Sequence, residues 1–444
     1  MSSRIIFHID VNSAYLSWTA VNLLQLGKST IDIREVPSII GGRTEERHGI
    51  VLAKSIPAKK FKIKTGESTY EALRKCPKLL IYTPDYGLYM QSSNAMYKLL
   101  CEYSPKIQRF SVDEVFIDVS HYKENYMEKA VEIQSRIRNE LGVNVNIGIS
   151  TNKLLAKMAS DFNPKNSIHT LFENEIKKKM WHLPVEELFM VGRATKKKLE
   201  KLNVETIGEL ATYNVEILKS TFKSFGIVLH NYANGIDSSE IRSTSYINMK
   251  GLGNSTTIPW DVTKREEALR IILSLVEMMS LRLRKCNSLC RVVVISIKSN
   301  AFEKYSHQRK MENYTDCTID IYREIVKAFD EVWSKEPIRQ IGVRITDLCS
   351  NEFFQTSLFD GERIDKQRAL DKTLDSLRSR FGSKSVVRST FINSGISPLS
   401  GGNGEEDYLM MSSVLWDKKD KKVQGKKIIK IKEIIGIRMK FCWC

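Results

Sequence analysis

Residues 111–118 read Ser-Val-Asp-Glu-Val-Phe-Ile-Asp, and this stretch places two adjacent carboxylates inside the pattern of a β-strand. Val112, Val115 and Ile117 mark a β-hairpin, and a strand interior disfavours acidic side chains. Carboxylates near a core are costly unless a cation balances them, and a divalent metal is a common solution. The stretch therefore predicts a metal site built on a strand.

A second candidate ligand stands at the end of the first predicted strand. The apolar run Ile5–Ile9 leads directly into Asp10. Two strands that bring carboxylates to one point would form a Mg²⁺ site from Asp10, Asp113 and Glu114. A surface pair in a turn is the simpler interpretation of Asp113 and Glu114 alone, and Asp10 favours the metal. Asp118 is expected to be a turn or surface acid.

Length and charge define the broad class of protein. The 444 residues are enough for about two to four domains. A formal net charge of +17 indicates a polyanionic partner, nucleic acid before membrane. The chain has no long apolar run and no signal-peptide pattern, so a soluble cytoplasmic protein is expected. Its eight cysteines are scattered and are expected to be reduced thiols.

Hydrophobic patterning predicts alternating strands and helices over residues 1–165, arranged as a split β-α-β unit with an antiparallel sheet. Residues 28–77 form a small insertion, and residues 176–234 are helical and lysine-rich. Residues 242–349 are predicted to form an α+β domain with two helices and two strands. Beyond it, a helix is predicted at 363–381.

Three acids on a small antiparallel sheet suit two-metal phosphoryl transfer. In such a site one Mg²⁺ lowers the pKa of an attacking hydroxyl, and both ions stabilise charge on the phosphorus and the leaving oxygen. Asp10 and Asp113 would bridge both ions. Glu114 would complete the site around the attacking 3′-hydroxyl.

The motif Asp-Val-Asn-Ser-Ala-Tyr at 10–15, together with Ser-Val-Asp-Glu at 111–114, resembles the palm of Y-family translesion DNA polymerases, the UmuC/DinB group. The resemblance covers roughly residues 4–360. It implies a multidomain α+β fold, a polymerase right hand with a ferredoxin-like palm, small fingers, a helical thumb with a helix-hairpin-helix, and an α+β little finger. The implied bounds are palm 1–27 and 78–165, fingers 28–77, thumb 166–235, linker 236–241, little finger 242–349, and a tail 350–444 with a clamp-binding peptide at 355–359.

Carried over by motif, the resemblance assigns Asp10, Asp113 and Glu114 as the catalytic acids that bind two Mg²⁺ ions. The backbone carbonyl of Val11 matches a further metal ligand. Tyr15 matches the aromatic steric gate that rejects a ribose 2′-hydroxyl. A core aromatic of the following helix is the alternative for Tyr15.

Two basic segments match the family's contacts with the nucleotide triphosphate. In the segment 53–61, Lys59 stands where many members have Arg, and Ile56 stands where many have Tyr. This departure favours the UmuC branch over the DinB branch, and a solvated surface charge is the alternative for Lys59. Residues 164–167 read Pro-Lys-Asn-Ser in place of the usual Lys-Pro-Asn-Gly, and Lys165 is the candidate there.

Residues 188–210 resemble the helix-hairpin-helix of the thumb, which offers backbone N–H groups to a DNA phosphate. Met190 replaces the first hairpin glycine and Gly192 remains as the DNA-binding candidate, with a plain helical hairpin as the alternative. The domain at 242–349 matches the little finger, whose basic residues would grip the duplex backbone. Its candidates are Arg282, Arg284, Lys298 and Arg344.

After that domain, Gln355, Leu358 and Phe359 resemble the peptide that docks on the bacterial sliding clamp. The peptide implies a bacterial-type clamp and a bacterial or bacterial-plasmid origin. Likeness to UmuC adds a UmuD-like accessory protein as a further partner. The lysine-dense run 417–440 is expected to be solvated more than bound to DNA.

The implied function is error-prone, template-directed DNA synthesis past damaged bases, as in translesion synthesis in DNA repair and the SOS response. Primer-template DNA and dNTPs are the implied substrates. One alternative is a catalytically weak, clamp-bound DNA-binding scaffold, and the retained acids argue against it. Another is a nucleotide cyclase, in which the hairpin, the little finger and the clamp peptide would have no role.

Overall fold

The computed structural model describes residues 4–42, 49–242, 249–351 and 361–399. The clamp peptide predicted at Gln355, Leu358 and Phe359, and the lysine-dense run 417–440, lie outside the described residues. No helix in the described ranges is long and apolar enough to cross a membrane.

The first part of the chain alternates strands and helices, as the patterning predicts. In chain order its elements are β1 (Ile6–Val11), α1 (Ala14–Gln25), β2 (Ser38–Gly41), β3 (Val51–Lys54), α2 (Ile56–Lys60), α3 (Thr69–Lys75), β4 (Leu80–Tyr82), α4 (Tyr86–Cys101), β5 (Ile107–Arg109), β6 (Glu114–Asp118), α5 (Tyr126–Leu141), β7 (Val145–Ser150), α6 (Lys153–Ser160) and β8 (Ile168–Thr170).

A five-stranded sheet in the order β5-β6-β1-β7-β8 forms the centre of this part. The predicted hairpin is confirmed, since β5 and β6 pair antiparallel, and β8 adds a parallel edge to β7. Side chains alternate between the two faces of a strand. Those of Phe7 and Ile9 pack with α1, α4 and α5, whereas Ile6 packs on the other face with α6.

Gly148 on β7 allows α6 to lie directly on the sheet. A Cβ at this position would stand 1.9 Å from the carbonyl oxygen of Ala156 and 2.4 Å from the backbone nitrogen of Ser160. Only a glycine leaves room for that approach. The position of α6 matters because this helix borders the acidic cluster described below.

A smaller sheet in the order β3-β2-β4 covers one side of α1. Its strand β4 pairs in parallel with β2, although β4 lies beyond residue 77, where the insertion is predicted to end. The carbonyl oxygen of Lys54, at the end of β3, accepts a hydrogen bond from Ser13 Oγ at 3.3 Å. This bond ties the small sheet to the turn between β1 and α1.

The predicted helical stretch 176–234 is confirmed, and its helices are α7 (Ile176–Lys179), α8 (Arg193–Glu200), α9 (Ile207–Thr212), α10 (Val215–Phe222) and α11 (Ser224–Ala233). The segment predicted as a linker is held against α6. Lys153 Nζ donates to the carbonyl oxygen of Glu240 at 2.9 Å, and Asn152 Nδ2 donates to that of Gly235 at 2.9 Å.

The next part is an antiparallel sheet with helices on one face. Its elements are β9 (Gly251–Val262), α12 (Arg265–Lys285), β10 (Ser288–Ser299), β11 (Lys304–Thr315), α13 (Thr318–Val332) and β12 (Ile338–Ser350), with strand order β11-β10-β12-β9. The sheet has four strands, so the prediction of two strands is wrong. The two missed strands lack a clear apolar pattern, because β9 is rich in Gly, Ser and Thr and β11 carries few apolar residues.

Among the residues that the structure describes, no helix packs on the other face of this sheet. Every second row of paired residues has its side chains on this face. In the strand order β11, β10, β12, β9, four such rows are Lys304, Lys298, Gln340 and Thr257; Ser306, Ser296, Gly342 and Ser255; Gln308, Val294, Arg344 and Gly253; and Lys310, Val292, Thr346 and Gly251. None of them is acidic. We refer to these residues as the open sheet face.

Residues 361–399 follow the sheet and contain one long helix. The predicted helix is confirmed as α14 (Gly361–Phe381), and ion pairs fasten it to α12. Arg284 binds Asp375 at 2.6 Å and Asp371 at 3.3 Å, and Arg378 binds the buried Glu277 at 3.2 Å. Hydrophobic patterning does not predict ion pairs between helices of this kind.

Replacement of Gly148 by Ala is expected to lower the free energy of unfolding by about 2 kcal/mol or more, because the new Cβ overlaps the backbone of α6. Gly192→Ala is the control, since no atom lies within 4 Å of a Cβ there. Its effect should stay within about 0.5 kcal/mol in the same urea titration. Equal stability of the two variants would contradict the packing described for α6.

Candidate active site

Strand register brings the predicted acids together. Asp10 on β1 lies opposite Glu114 on β6 and opposite Asn146 on β7. The backbone N–H of Val11 donates to the carbonyl oxygen of Asp113 at 3.1 Å. Asp10, Asp113 and Glu114 therefore meet at one end of the β1–β6 pair.

The turn before β6 fixes the orientation of Asp113. The backbone N–H groups of Phe110 and Ser111 donate to the carbonyl oxygen of Glu114 at 2.9 and 3.2 Å. Ser111 Oγ donates to Asp113 Oδ1 at 2.5 Å. Burial raises the pKa of Asp113; the Ser111 hydrogen bond opposes that shift and the charge of Glu114 adds to it.

The charged form of Asp10 is destabilised more strongly than that of Asp113. Burial, followed by the charges of Glu114 and Asp113, raises the pKa of Asp10 well above its usual range. Carboxylates that face one another in a half-buried site cannot all hold their charge without a cation. Asp161, just after α6, adds to this repulsion, and burial also raises its pKa.

One cation is supplied by α6. Lys157 Nζ forms a short ion pair with Glu114 Oε1, and the lysine is nine-tenths buried. Burial opposes its charge, but Glu114 and then Asp161 and Asp10 raise the pKa of Lys157 above its ordinary value. Lys157 therefore stays protonated beneath the acids.

His8 lies under the same cluster and stays neutral. Its Nδ1 is 2.7 Å from Ser160 Oγ, and its Nε2 is 3.8 Å from Glu114 Oε1. Complete burial, followed by the charge of Lys157, lowers the pKa of His8 well below its ordinary value. The contact of His8 with Glu114 is therefore not an ion pair.

The donor chemistry of this cluster fits a hard divalent cation. Asp10 and Asp113 offer carboxylate oxygens beside the backbone of Val11, and Mg²⁺ favours such oxygen ligands. Within the described residues, no group of three His, Cys, Asp or Glu side chains is arranged to hold a metal ion. In this arrangement Glu114 is paired with Lys157.

An open cleft of about 560 Å³ lies between the acids and the small sheet. Five of the predicted site residues line it: Asp10, Val11, Tyr15, Lys59 and Asp113. Glu114 borders the cluster without lining the cleft. The cleft thus has a carboxylate wall and a lysine wall, to which Lys54 also contributes.

Tyr15 both lines the cleft and packs in the core. Its ring stacks on that of Tyr89 with centroids 4.4 Å apart and an interplanar angle of 8°, and Tyr86 contacts it edge-on at 6.1 Å. The left-handed backbone of Ser13, with φ of 48°, starts α1 so that Tyr15 falls in its first turn. The position of Tyr15 is thus compatible with both interpretations, a steric gate beside the nucleotide and a core aromatic of α1.

Lys59 comes from the short helix α2. Ser55 caps this helix by accepting a hydrogen bond from the backbone N–H of Ala58 at 3.1 Å. Lys54 Nζ donates to the carbonyl oxygen of Ile63 at 2.6 Å, and burial, followed by the charge of Lys59, lowers the pKa of Lys54. Ile56, which stands where many relatives have tyrosine, is 67% exposed.

Lys165 lies apart from the cleft. Its Nζ donates to the carbonyl oxygen of Asp161 at 2.9 Å and its side chain is exposed. The following residue, Asn166, is joined to β1 and β7 by amide hydrogen bonds: Asn12 Nδ2 to Asn166 Oδ1 at 2.7 Å, and Asn166 N to Asn146 Oδ1 at 2.7 Å. The loop is therefore fixed beside the acids, although the lysine points elsewhere.

Gly192 is the N-cap of α8, with extended backbone. Met190 has a φ of +76°, a left-handed conformation that favours glycine. The hairpin thus keeps the backbone shape that the missing glycine would adopt, with methionine in its place. No atom within 4 Å would obstruct a Cβ at Gly192, so this glycine leaves the loop surface open.

Sequence reasoning missed Lys157, His8, Asp161 and Asn146. His8 and Asp10 share a strand face by their spacing of two, and Lys157 and Asp161 share a helix face by their spacing of four. These spacings indicate which side chains share a face of their own strand or helix. They do not indicate that α6 packs on the sheet face that carries the acids.

Three family models match the chain. The model of the impB/mucB/samB family matches residues 9–161, and that of its C-terminal domain matches residues 249–358. A thumb-domain model described for DNA polymerase iota matches residues 186–237.

The chain is also similar to named bacterial proteins. It is 48% identical to DNA polymerase IV of Clostridium acetobutylicum over 88% of this chain and 98% of the relative. It is 38% identical to DNA polymerase IV of Acetivibrio thermocellus, over 87% and 96%. Among solved structures, a chimaeric Y-family DNA polymerase matches with a TM-score of 0.69 and 19% identity, over 78% of this chain and all of that one, which shows the fold.

These relatives bear on the branch predicted from Ile56 and Lys59. The relatives named above are DNA polymerases IV, that is, of the DinB group. The predicted leaning toward the UmuC branch is therefore not supported. Single departures in a basic loop carry less weight than identity along nearly the whole chain.

Proposed function

Because the chain belongs to the DNA polymerase IV group of the Y-family translesion DNA polymerases, we propose that its acidic cluster at Asp10, Asp113 and Glu114 is the centre of nucleotidyl transfer. The chain is a DNA-directed DNA polymerase, and this family generally uses divalent metals. The observation that carries the assignment is the β1–β6 register, which sets Asp10 opposite Glu114 beside Asp113.

In this proposal Asp10, Asp113 and the carbonyl oxygen of Val11 would hold two Mg²⁺ ions, and Glu114 would complete the site near the primer 3′-hydroxyl. When bound, the ions lower the pKa of that hydroxyl and offset charge on the transferred phosphate. The chain's own contribution is position. The Ser111 hydrogen bond holds Asp113, and Tyr15 sits at the floor of the cleft, where it would exclude a ribose 2′-hydroxyl.

The lysine wall of the cleft is proposed to hold the triphosphate. Lys59 and Lys54 both line the cleft across from the acids. A lysine supplies charge without the bidentate fork of arginine, so this grip rests on Coulomb attraction more than on geometry. Lys165, the other predicted nucleotide ligand, is a weaker proposal because it does not line the cleft.

Synthesis past damaged bases with low fidelity, as in DNA repair and the SOS response, is the physiological role that we propose. The chief alternative is a catalytically weak DNA-binding scaffold on a sliding clamp. The alternative is disfavoured by the retention of all three acids in register. A primer-extension assay separates the two.

Asp113→Asn is expected to reduce primer extension roughly a hundred- to thousandfold, because it removes one metal-binding charge while keeping side-chain shape. Asp118→Asn is the matched control. Asp118 is a nearby acid at the far end of β6, where it accepts a hydrogen bond from Ser120, so Asp118→Asn should keep wild-type activity. Equal activity of Asp113→Asn and wild type would refute the metal assignment, and an inactive wild type would favour the scaffold.

Tyr15→Ala is expected to raise ribonucleotide incorporation relative to deoxyribonucleotide incorporation by roughly tenfold or more, since the ring no longer blocks the 2′-hydroxyl. Tyr15→Phe keeps the ring and should keep the discrimination. Tyr86→Ala controls for lost packing, because Tyr86 contacts the same aromatic cluster. The ratio of single-nucleotide incorporation rates is the measurement, and an unchanged ratio in Tyr15→Ala would exclude the gate.

We further propose that the open sheet face contacts the DNA backbone. Lys298 and Arg344 lie on it, whereas Arg284 is committed to Asp371 and Asp375 on the helix side. The paired positions of this face include small residues, such as Gly342 and Ser296, that let a backbone approach. Basic, acid-free surface of this kind favours sequence-independent phosphate binding.

Lys298→Gln with Arg344→Gln is expected to weaken duplex binding and to flatten its salt dependence by about 0.9 in slope per lost phosphate contact. Arg309→Gln is the control from the helix face of β11, where Arg309 pairs with Glu324. Fluorescence anisotropy over a salt series measures the slopes. An unchanged slope in the double variant, or an equal change in the control, would contradict this surface.

Two proposed partners, a sliding clamp and a UmuD-like accessory protein, are inferred from the sequence alone. We propose that Gln355, Leu358 and Phe359 dock on a bacterial sliding clamp, as their pattern suggests. The UmuD-like accessory protein rests on the leaning toward UmuC, and without that leaning it has no support. A cytoplasmic location in a bacterium follows from the proposed work on chromosomal DNA.

A further inference from the structure

Lys157 occupies a position that the proposed reaction leaves unexplained. It projects from α6 beneath the acids, with its Nζ paired to Glu114 Oε1. On its other side Nζ is 5.4 Å from the ring centre of Phe110 and 5.6 Å from that of Phe189. Aromatic faces and a carboxylate therefore enclose the ammonium, which keeps it in one place.

The charge of Lys157 is felt by every acid of the site. It interacts with Asp10, Asp113 and Asp161 as well as with Glu114. A divalent ion at the same cluster would perform this task with twice the charge. The lysine and a metal are therefore alternative counter-ions for one set of carboxylates.

We propose that Lys157 is a positioning residue that holds Glu114 and balances the acids until metal binds, an inference that rests on the function proposed above. In the metal-free site, the pair with Lys157 thereby keeps Glu114 from forming a three-carboxylate metal site with Asp10 and Asp113. Glu114 must leave Lys157 before it joins Asp10 and Asp113. Metal binding thus carries the cost of breaking a buried ion pair and of placing cations near a fixed ammonium.

A purely structural ion pair makes a different prediction. If Lys157 only stabilised the fold, its loss would weaken the site along with the protein, and metal affinity would fall or stay constant. If Lys157 competes with metal, its loss frees Glu114 and removes a repulsive charge, so affinity rises. The direction of the change in affinity separates the two roles.

The test is Mn²⁺ binding to the full-length, metal-free chain without DNA or nucleotide, followed by electron paramagnetic resonance. Lys157→Gln is expected to bind Mn²⁺ about tenfold more tightly than wild type, given the strength of charge interactions at such distances. Lys157→Arg keeps the charge and should stay close to wild type. Lys153→Gln is the matched control, a buried lysine of the same helix that bonds to Gln108 and Glu240.

Asp113→Asn separates failure of this inference from failure of the proposed function. If Asp113→Asn binds Mn²⁺ like wild type, the ion is not at the acids and the metal assignment is wrong. If Asp113→Asn weakens binding but Lys157→Gln does not strengthen it, the inference about Lys157 is overturned and the metal site stands.

Should Lys157→Gln fail to fold, NMR of the lysine ammonium groups in wild type provides the second readout. The Lys157 signal, identified by its loss in Lys157→Arg, is expected to shift when Mg²⁺ is added and not to shift in Asp113→Asn. A signal that stays fixed while Mn²⁺ binds at Asp113 would overturn the competition.

Discussion

Repulsion among carboxylates on adjacent strands is the constraint around which this molecule is organised. The pairing of Asp10 with Glu114 is a consequence of antiparallel register, and a slip of one residue would place the two side chains on opposite faces of the sheet. Asp113 joins them through the backbone bond from Val11. Such a cluster is unfavourable in a folded protein unless cations balance it, so the neighbouring elements can be understood as its support.

The support begins with Gly148. Without a side chain there, α6 lies close enough to the sheet to bring Lys157 under Glu114. The neutral His8 fills the space below without adding charge. On the opposite side of the cleft, the small sheet contributes Lys59, so a bound group would meet acids on one wall and lysines on the other. This polarity matches a metal-bound triphosphate and a primer end.

The C-terminal sheet also carries different charge arrangements on its two faces. On the helix side of the C-terminal sheet, arginines are paired, as Arg284 is with Asp371 and Asp375. On the open sheet face, the paired positions carry Lys298, Arg344 and other neutral or basic residues with no acid among them. The basic residues Lys298, Lys304, Lys310 and Arg344 thus lie on the surface that is proposed to meet DNA.

The sequence predicted the acids, the hairpin and the helical stretch 176–234, because each rests on local pattern. It missed β9 and β11, whose side chains are small, polar or ion-paired and so carry no apolar alternation. Lys157 was not predicted as a site residue, since its role depends on a contact between α6 and β6. The helix α14 was predicted, but its ion pairs with α12 were not, because pairs between distant residues leave no periodic signal.

Anomalous X-ray scattering from Mn²⁺ tests the central claim most directly, in crystals of the chain with primer-template DNA and a non-hydrolysable dNTP. The account predicts Mn²⁺ bound by both Asp10 and Asp113, with Glu114 turned toward the primer end and no longer paired with Lys157. Mn²⁺ bound only to the triphosphate, with Asp10 and Asp113 making no metal contact, would contradict it.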